Sequence, residues 1–242
     1  MRDDNTLEAV LFDWGGTLTP WHTVDVRACW RAVAALIDAD RTDEIAAALH
    51  AAEDTVWLRS RDEHRSATLA EVCTLAEVTM TEAAHAEYRA RWDPHSLIDP
   101  DAPPLLTGLR ERGIKVGILS NTIWTRDHHE EIFARDGVLE LLDGAVYSSE
   151  IPWTKPHPEA FLAAMAAVGA TDPARCVYVG DRLFDDVYGA QNAGMRAVHV
   201  PHSAIPAHQI GHTVGEPDAT IHRLAELLPL VDTWNGAASG AA

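Results

Sequence analysis

The sequence has 242 residues, of which 47% are hydrophobic and 23% charged, a composition typical of a globular protein with a sizeable core. Its formal net charge of −18 argues against nucleic acid and anionic membrane surfaces as partners, since both are negatively charged. The three cysteines are widely spaced, the first residues lack the apolar stretch of a signal peptide, and no apolar run is as long as a membrane span. We therefore expect a cytoplasmic protein with free thiols.

A short apolar segment at residues 9–12 ends abruptly at Asp13. Such a run predicts a strand that is buried on both faces of a parallel sheet. Asp13 would then lie at the carboxyl end of the strand, where open α/β sheets bind ligands. Gly15 and Gly16 allow a tight turn and a close approach of the backbone to a bound group. Asp13 is therefore a candidate nucleophile or metal ligand, although an ordinary turn after a strand would have the same residues.

Residues 20–95 have a different pattern, because their apolar residues recur at helical spacing. Four helices are predicted, at residues 26–37, 45–59, 69–78 and 81–88. Thr81 is the expected N-cap of the fourth helix. No strand pattern interrupts this block, and prolines between residues 94 and 104 separate it from the next predicted helix and strand. The block is therefore predicted to be a helical insertion after the first strand.

Strands and helices alternate in the remainder of the chain. Short apolar segments predict strands at residues 115–119, 145–147, 176–179 and 197–200. Helices are predicted at residues 105–112, 158–168, 185–193 and 221–228. A further, polar helix is predicted after residue 122 and ends at about residue 135. This order predicts an α/β fold with a doubly wound parallel sheet. The expected domains are a core of residues 1–19 and 96–234, a helical cap of residues 20–95, and a flexible tail of residues 235–242.

Polar residues stand at the ends of three predicted strands, namely Asp13, Ser120 and Asp181. The carboxyl ends of parallel strands share one edge of a sheet, so these side chains should lie close together. Lys155 is in a loop that can reach this edge, and Asp186 begins the helix after Asp181. Converging carboxylates suit Mg²⁺, and a metal-bound phosphate would find hydrogen-bond donors in Ser120 and the backbone, with Lys155 as counter-charge.

Four motifs in this order resemble those of the haloacid dehalogenase-like (HAD) hydrolase superfamily. The resemblance covers residues 7–228 and is to the branch with a helical cap after the first motif, the branch of phosphoglycolate phosphatase and β-phosphoglucomutase. The motifs are Asp13-Trp14-Gly15-Gly16-Thr17, Leu119-Ser120-Asn121, Lys155-Pro156 and Gly180-Asp181-Arg182-Leu183-Phe184-Asp185-Asp186. Each motif is weak alone, but four in this order with alternating strands and helices form a specific pattern.

The resemblance implies a Mg²⁺-dependent phosphohydrolase that acts on a small phosphorylated metabolite. Asp13 would attack phosphorus and form an aspartyl-phosphate, and Lys155 would orient Asp13. The implied metal ligands are Asp13, the backbone carbonyl of Gly15, Asp181 and, in support, Asp186. The residues implied to hold the phosphoryl group are Ser120, Asn121 and Lys155.

Gly15 departs from the family pattern. Most phosphatases of the family carry a second aspartate at this position, which serves as general acid and base. A glycine keeps the backbone carbonyl but removes the proton donor, whose help is typically worth about 10²- to 10⁴-fold in rate. We therefore expect reduced or specialised activity, and His22 is a candidate replacement for the missing acid.

Three other functions remain open on this resemblance. Enzymes of the family that cleave C–P bonds also lack the second aspartate, but they need a cap lysine, and residues 20–95 contain none. The 2-haloacid dehalogenases have a first motif of the pattern Asp-x-Tyr-Gly-Thr and need no metal. This chain has Gly15 in place of the tyrosine. The last alternative is a non-catalytic scaffold that binds a phosphate-bearing ligand or a partner protein.

Overall fold

The computed structural model describes residues 6–20, 23–201, 203 and 212–239, and these form a six-stranded parallel sheet with helices on both faces. The strands are β1 (Ala9–Phe12), β2 (Lys115–Ser120), β3 (Gly144–Tyr147), β4 (Cys176–Gly180), β5 (Arg196–His199) and β6 (Ala219–Thr220). Their spatial order is β3-β2-β1-β4-β5-β6. The predicted doubly wound α/β fold is confirmed.

The described part of the chain contains helices that flank the sheet and helices that pack mainly on one another. They are α1 (Val26–Ala35), α2 (Thr42–Glu63), α3 (Leu69–Leu75), α4 (Glu82–Trp92), α5 (Ala102–Glu111), α6 (Arg126–Arg135), α7 (Pro158–Ala167), α8 (Gly189–Asn192) and α9 (Leu227–Ser239). None of the helices within the described part of the chain is both long enough and apolar enough to cross a membrane.

Strand β1 is fully buried because both of its faces pack against apolar residues. Val10 and Phe12 belong to the hydrophobic cluster that includes residues of α5 and α6, and Ala9 and Leu11 belong to the cluster that includes residues of α7 and α8. This alternation follows from the two-residue period of a strand. Since β1 pairs with β2 on one side and with β4 on the other, the residue after it, Asp13, lies at the point where the strand order reverses, a favoured ligand site in such sheets.

Helices α1 to α4 lie between β1 and β2 in the chain, where the helical insertion was predicted, and we refer to this block as the cap. The Thr81 hydroxyl accepts a hydrogen bond from the Ala84 N–H at 3.1 Å, which confirms Thr81 as the N-cap of α4. The cap is joined to the loop after β2 by a buried hydrogen bond of 2.9 Å from Trp124 Nε1 to the Tyr88 hydroxyl. Its apolar residues therefore form one continuous cluster with the sheet face that carries Val10.

The carboxyl-terminal segment differs from the prediction. A helix was expected at residues 221–228 and a flexible tail from residue 235, but α9 begins at Leu227 and continues to Ser239. Asn235 accepts a hydrogen bond from the Leu7 N–H at 3.0 Å, and the Arg196 guanidinium lies 5.2 Å from the Trp234 ring centroid. The described helix thus extends past residue 235, since small residues such as alanine favour a helix once its apolar face is packed.

The segment after β4 also differs from the expected helix at 185–193. It forms a π-helix over Leu183–Tyr188, followed by the single turn of α8. The Asp186 carboxylate accepts a hydrogen bond from the Arg182 N–H at 2.8 Å, directly before the start of the π-helix. The short strand β6 had no pattern from which to predict it, since it contains only two residues.

Two histidines of α6, His128 and His129, are buried among aromatic rings. The His129 ring stacks on Tyr147 at a centroid distance of 4.5 Å and lies edge-on to Trp14 at 4.8 Å. Its Nε2 is 3.0 Å from the Thr122 hydroxyl. Burial, reinforced by the neighbouring positive charges, lowers the pKa of His129 to about 3, and burial lowers the pKa of His128 to about 4. Both rings are therefore neutral at pH 7.

We expect the variant His129→Gln to lose stability less steeply in acid than the wild type. The unfolded histidine takes up a proton below its ordinary pKa of about 6.5, whereas the folded one does not until about pH 3, so stability falls as the pH falls through this window. The contribution of His129 to the difference in unfolding free energy between pH 7 and pH 5 is about 2 kcal/mol. Urea denaturation at both pH values measures it.

The matched control is His85→Gln, which changes an exposed histidine on α4. It should keep the pH dependence of the wild type. If His129→Gln and the wild type lose the same free energy between pH 7 and pH 5, the buried neutral state of His129 is refuted.

Candidate active site

The structure brings together, at the carboxyl edge of the sheet, five of the side chains selected from the sequence. Asp13 is held directly after β1 by a hydrogen bond of 2.9 Å from its N–H to the Val179 carbonyl. All five side chains belong to buried residues: Asp13, Ser120, Lys155, Asp181 and Asp186. Ser120 is the last residue of β2, and Asp181 directly follows β4. The ends of these strands therefore lie close together, as the sequence predicted.

Lys155 is the centre of this cluster. Its Nζ lies 2.7 Å from Asp13 Oδ1, 2.6 Å from Asp186 Oδ1 and 2.9 Å from the Tyr178 hydroxyl. The Tyr178 hydroxyl donates in turn to the Leu119 carbonyl at 2.9 Å. An ammonium group has three N–H donors, so each has an acceptor here. Lys155 thus binds two carboxylates at once and fixes the orientation of Asp13.

Tyr178 is a site residue that sequence reasoning missed. It is fully buried in β4, and its ring packs edge-on against Phe161 at 4.9 Å. The one available signal was a hydroxyl-bearing residue within an otherwise apolar strand, because a buried tyrosine normally needs a hydrogen-bond partner.

Asn121 has a different environment from the phosphoryl-binding residue that the resemblance implied. Its Nδ2 donates to the Lys155 carbonyl at 3.1 Å, and its Oδ1 accepts the Lys155 N–H at 2.8 Å. Both ends of the amide are therefore engaged by the backbone of one residue. In this structure Asn121 positions the loop that carries Lys155.

Three carboxylates form a potential cation site. Asp13, Asp181 and Asp186 each offer an oxygen, and these oxygens lie within 4.8 Å of one another. The Oδ1 atom of Asp181 is buried and has no hydrogen-bond partner among the described residues. Buried carboxylate oxygens are normally paired, and oxygen donors of this kind are those that Mg²⁺ prefers. The donor set therefore fits a divalent metal ion.

The electrostatics of the cluster favour an added positive charge. Burial, together with the nearby carboxylates of Asp13 and Asp186, raises the pKa of Asp181 well above its ordinary value. Burial also raises the pKa of Asp13 to about 6, against the opposing effect of Lys155. For Lys155 itself, burial alone would lower the pKa, but the two carboxylates outweigh it and raise the pKa. The site thus holds more negative than positive charge.

Asp185, which precedes Asp186 in the fourth motif, is partly enclosed by its surroundings. Burial, reinforced by the adjacent Asp186 charge, raises its pKa to about 6. Asp185 is not one of the three carboxylates that converge in the described structure.

The two glycines of the first motif have different roles. Gly16 has φ 98°, and a Cβ there would lie 2.4 Å from Asp181 Oδ2, so this position requires glycine. At Gly15, by contrast, no described residue beyond its two chain neighbours comes within 4 Å of an added Cβ. An aspartate at this position would have room at its Cβ. His22, the candidate replacement for the missing acid, lies outside the described residues.

Comparisons with known proteins agree with this arrangement. The profile of the haloacid dehalogenase-like hydrolase family matches residues 7–194. A glyceraldehyde 3-phosphate phosphatase of Methanopyrus kandleri is 30% identical over 229 residues, which cover 93% of this chain and 97% of that protein. The crystal structure of a HAD phosphatase from Thermococcus onnurineus is 25% identical with a TM-score of 0.67, covering 93% of this chain and 98% of the other.

A second solved structure extends the similarity of the fold. The L-2-haloacid dehalogenase from Xanthobacter autotrophicus is 21% identical with a TM-score of 0.62, over 94% of this chain and 99% of the other. The doubly wound sheet, with its buried aspartate after the central strand, defines an α/β protein of the Rossmann-like class. Within that class, the chain belongs to the haloacid dehalogenase-like hydrolase family and is a hydrolase.

Proposed function

We propose that this chain is a Mg²⁺-dependent phosphohydrolase that acts on a small phosphorylated metabolite. The observation that carries the proposal is the bridge from Lys155 Nζ to Asp13 at 2.7 Å and to Asp186 at 2.6 Å, beside the unpaired Asp181 oxygen. Relatives named as phosphatases support the substrate class, and glyceraldehyde 3-phosphate in one of those names is a small phosphorylated metabolite.

In the proposed reaction, the Asp13 oxygen that Lys155 does not bind attacks phosphorus. The new O–P bond forms as the bond from phosphorus to the leaving oxygen breaks, and water then hydrolyses the aspartyl-phosphate to inorganic phosphate and free Asp13. Lys155 keeps Asp13 anionic and oriented, and Ser120 lies at the end of the adjacent strand as a donor for a phosphoryl oxygen.

The proposed metal residues are Asp13, the Gly15 carbonyl, Asp181 and Asp186. Bound there, Mg²⁺ would offset the negative charge of the phosphoryl oxygens. Asp186 is already engaged by Lys155 and by the Arg182 N–H, so it supports the site rather than acting as a free ligand.

The lack of an acidic side chain at Gly15 should determine which leaving groups depart easily. A phenyl phosphate releases a weakly basic oxyanion that needs no proton, whereas an alkyl phosphate releases a strongly basic alkoxide that requires a general acid. We therefore expect measurable Mg²⁺-dependent turnover of phenyl phosphate, little turnover of propyl phosphate, and none of either by Asp13→Asn. Absence of turnover by the wild type, alongside intact Mg²⁺ binding, would favour the non-catalytic scaffold.

Restoring the missing acid is a separate prediction. Gly15→Asp should raise the ratio of kcat/KM for propyl phosphate over phenyl phosphate by about 10²-fold, because general acid help matters most for the basic leaving group. The open space at Gly15 makes the substitution structurally feasible. Gly15→Asn is the matched control, since it has nearly the same shape but no acidic proton. Equal ratios in the two variants would show that another residue already supplies the proton.

Cleavage of a C–P bond by way of a lysine adduct has little support here. The sequence has two lysines, Lys115 and Lys155. Lys155 is bound to Asp13, and Lys115 is at the start of β2, at the opposite end of that strand from Ser120. The described cap therefore presents no lysine to the site.

A further inference from the structure

The end of strand β5 contacts Asp181, although none of the four sequence motifs includes a residue of this strand. Strand β5 pairs with β4 as far as Gly180, whose carbonyl accepts the Val200 N–H at 2.9 Å. The next carbonyl of the chain is that of Asp181, and His199 Nε2 lies 3.1 Å from it. Because a carbonyl oxygen only accepts, Nε2 of this half-buried imidazole carries a proton and donates the hydrogen bond.

The direction of the Asp181 carboxylate depends on its backbone. Its Oδ1 atom has no hydrogen-bond partner in the described part of the chain, and its Oδ2 atom is 3.8 Å from Arg182 Nε, too far for a hydrogen bond. The two oxygens thus leave the direction of the carboxylate to the backbone and to packing. The hydrogen bond from His199 holds the peptide plane next to the Asp181 Cα atom, and so it restricts the direction in which the side chain leaves the chain.

A second residue after β5 contacts the loop against which this carboxylate packs. The Asp181 carboxylate lies so close to the Gly16 backbone that a Cβ on Gly16 would be 2.4 Å from Oδ2. The Ser203 hydroxyl donates to the Gly16 carbonyl at 2.6 Å. His199 and Ser203, four positions apart in the chain, therefore hold both Asp181 and the backbone that faces its carboxylate.

We infer that His199 is a positioning residue for cation binding, which holds the Asp181 peptide so that its carboxylate converges with the other two. Ser203 supports the same arrangement through Gly16. The inference rests on the proposed function, which places Mg²⁺ among these carboxylates. Mg²⁺ requires nearly octahedral geometry, so a small change in the direction of one ligand lowers its affinity. Groups that orient metal ligands commonly contribute about 10- to 100-fold to metal affinity.

Titration calorimetry with Mg²⁺ alone tests this inference, because it measures binding without turnover. His199→Phe and His199→Leu lack a donor and should each weaken Mg²⁺ binding about 10-fold. His199→Gln keeps an N–H donor on a side chain of similar reach and should restore most of the affinity. Ser203→Ala should weaken Mg²⁺ binding about 3-fold, since it removes one neutral hydrogen bond that acts through Gly16.

The matched control is His222→Phe, which changes an exposed histidine two residues after β6 and should leave the Mg²⁺ affinity unchanged. Wild-type affinity in the two donor-free variants of His199 would overturn the inference. Equal losses in these variants and in His199→Gln would also overturn it, because they would indicate that the ring acts by packing. Unchanged affinity in Ser203→Ala would remove Ser203 from the arrangement.

The same titrations separate this inference from the proposed function. A wild type that binds no Mg²⁺ would overturn both the role of His199 and the metal dependence of the proposed reaction. A wild type that binds Mg²⁺, loses affinity in His199→Phe and recovers it in His199→Gln, but does not hydrolyse phenyl phosphate, would refute the proposed function alone. The role of His199 in positioning Asp181 would then stand.

Discussion

Replacing Lys155 with methionine is expected to lower phosphatase turnover on the order of 10³-fold and to destabilise the metal-free protein by about 3–5 kcal/mol at pH 7. The lysine is 3% exposed and neutralises Asp13 and Asp186 at 2.7 and 2.6 Å. Without it, the carboxylates of the cluster stay buried with no cation between them. Urea denaturation and phenyl phosphate hydrolysis measure the two losses.

The loss of stability in Lys155→Met should also depend on pH. Buried carboxyl groups whose folded pKa is raised take up protons more readily than in the unfolded chain, so their repulsion destabilises the fold increasingly as the pH rises above about 4. The pKa of Asp13 is about 6 even beside Lys155. The stability deficit of Lys155→Met should therefore be smaller at pH 5 than at pH 7.

The chain offers a matched control in Lys115→Met. The Lys115 side chain is 53% exposed and pairs with Asp143 at 2.8 Å, and an exposed ion pair contributes less than about 1 kcal/mol. Its loss should leave turnover unchanged. Similar stability losses in Lys115→Met and Lys155→Met would contradict the role of Lys155 in neutralising the buried carboxylates. Full activity in Lys155→Met would contradict its role in orienting Asp13.

Asp181→Asn is expected to have two opposite effects. It should stabilise the metal-free protein at pH 7, because a carboxyl group with a raised folded pKa costs stability as the pH rises above its unfolded value. It should also remove most of the stabilisation by Mg²⁺, which for the wild type is about 2.7 kcal/mol at a concentration 100 times the Kd. Denaturation with and without Mg²⁺ measures both effects.

Asp185→Asn separates metal binding from simple charge relief. Burial also raises the pKa of Asp185, so its replacement should stabilise the metal-free protein, but Asp185 lies outside the three converging carboxylates. This variant should therefore keep the Mg²⁺ response. An equal response to Mg²⁺ in Asp181→Asn and the wild type would exclude Asp181 as a ligand.

Much of the fold could be predicted from the sequence because its signals are local. The four-residue apolar run before Asp13 is buried on both faces, as its composition indicated, and Thr81 caps α4 through its own side chain. Parallel strands bring their ends together whatever the intervening loops contain. Because β2 and β4 both pair with β1, the placement of Asp13, Ser120 and Asp181 at one edge followed from their positions alone.

The remaining features depend on tertiary contacts that no local pattern records. The pairing of Asn121 with the Lys155 backbone joins residues 34 positions apart, and Tyr178 reaches the Leu119 carbonyl across 59 positions. The docking of α9 likewise joins distant residues, through the hydrogen bond from the Leu7 N–H to Asn235 Oδ1. Such contacts decide the role of a side chain after the backbone has placed it nearby.

The scarcity of lysine has a practical consequence for chemical labelling. An amine-reactive dye or a surface linker meets one accessible lysine side chain, Lys115, because the ammonium of Lys155 is enclosed within the cluster. Lys115 opens β2 and Ser120 ends it, so the attachment point and the catalytic edge are roughly 17 Å apart along the strand. Immobilisation through Lys115 would present the carboxyl edge of the sheet away from the support.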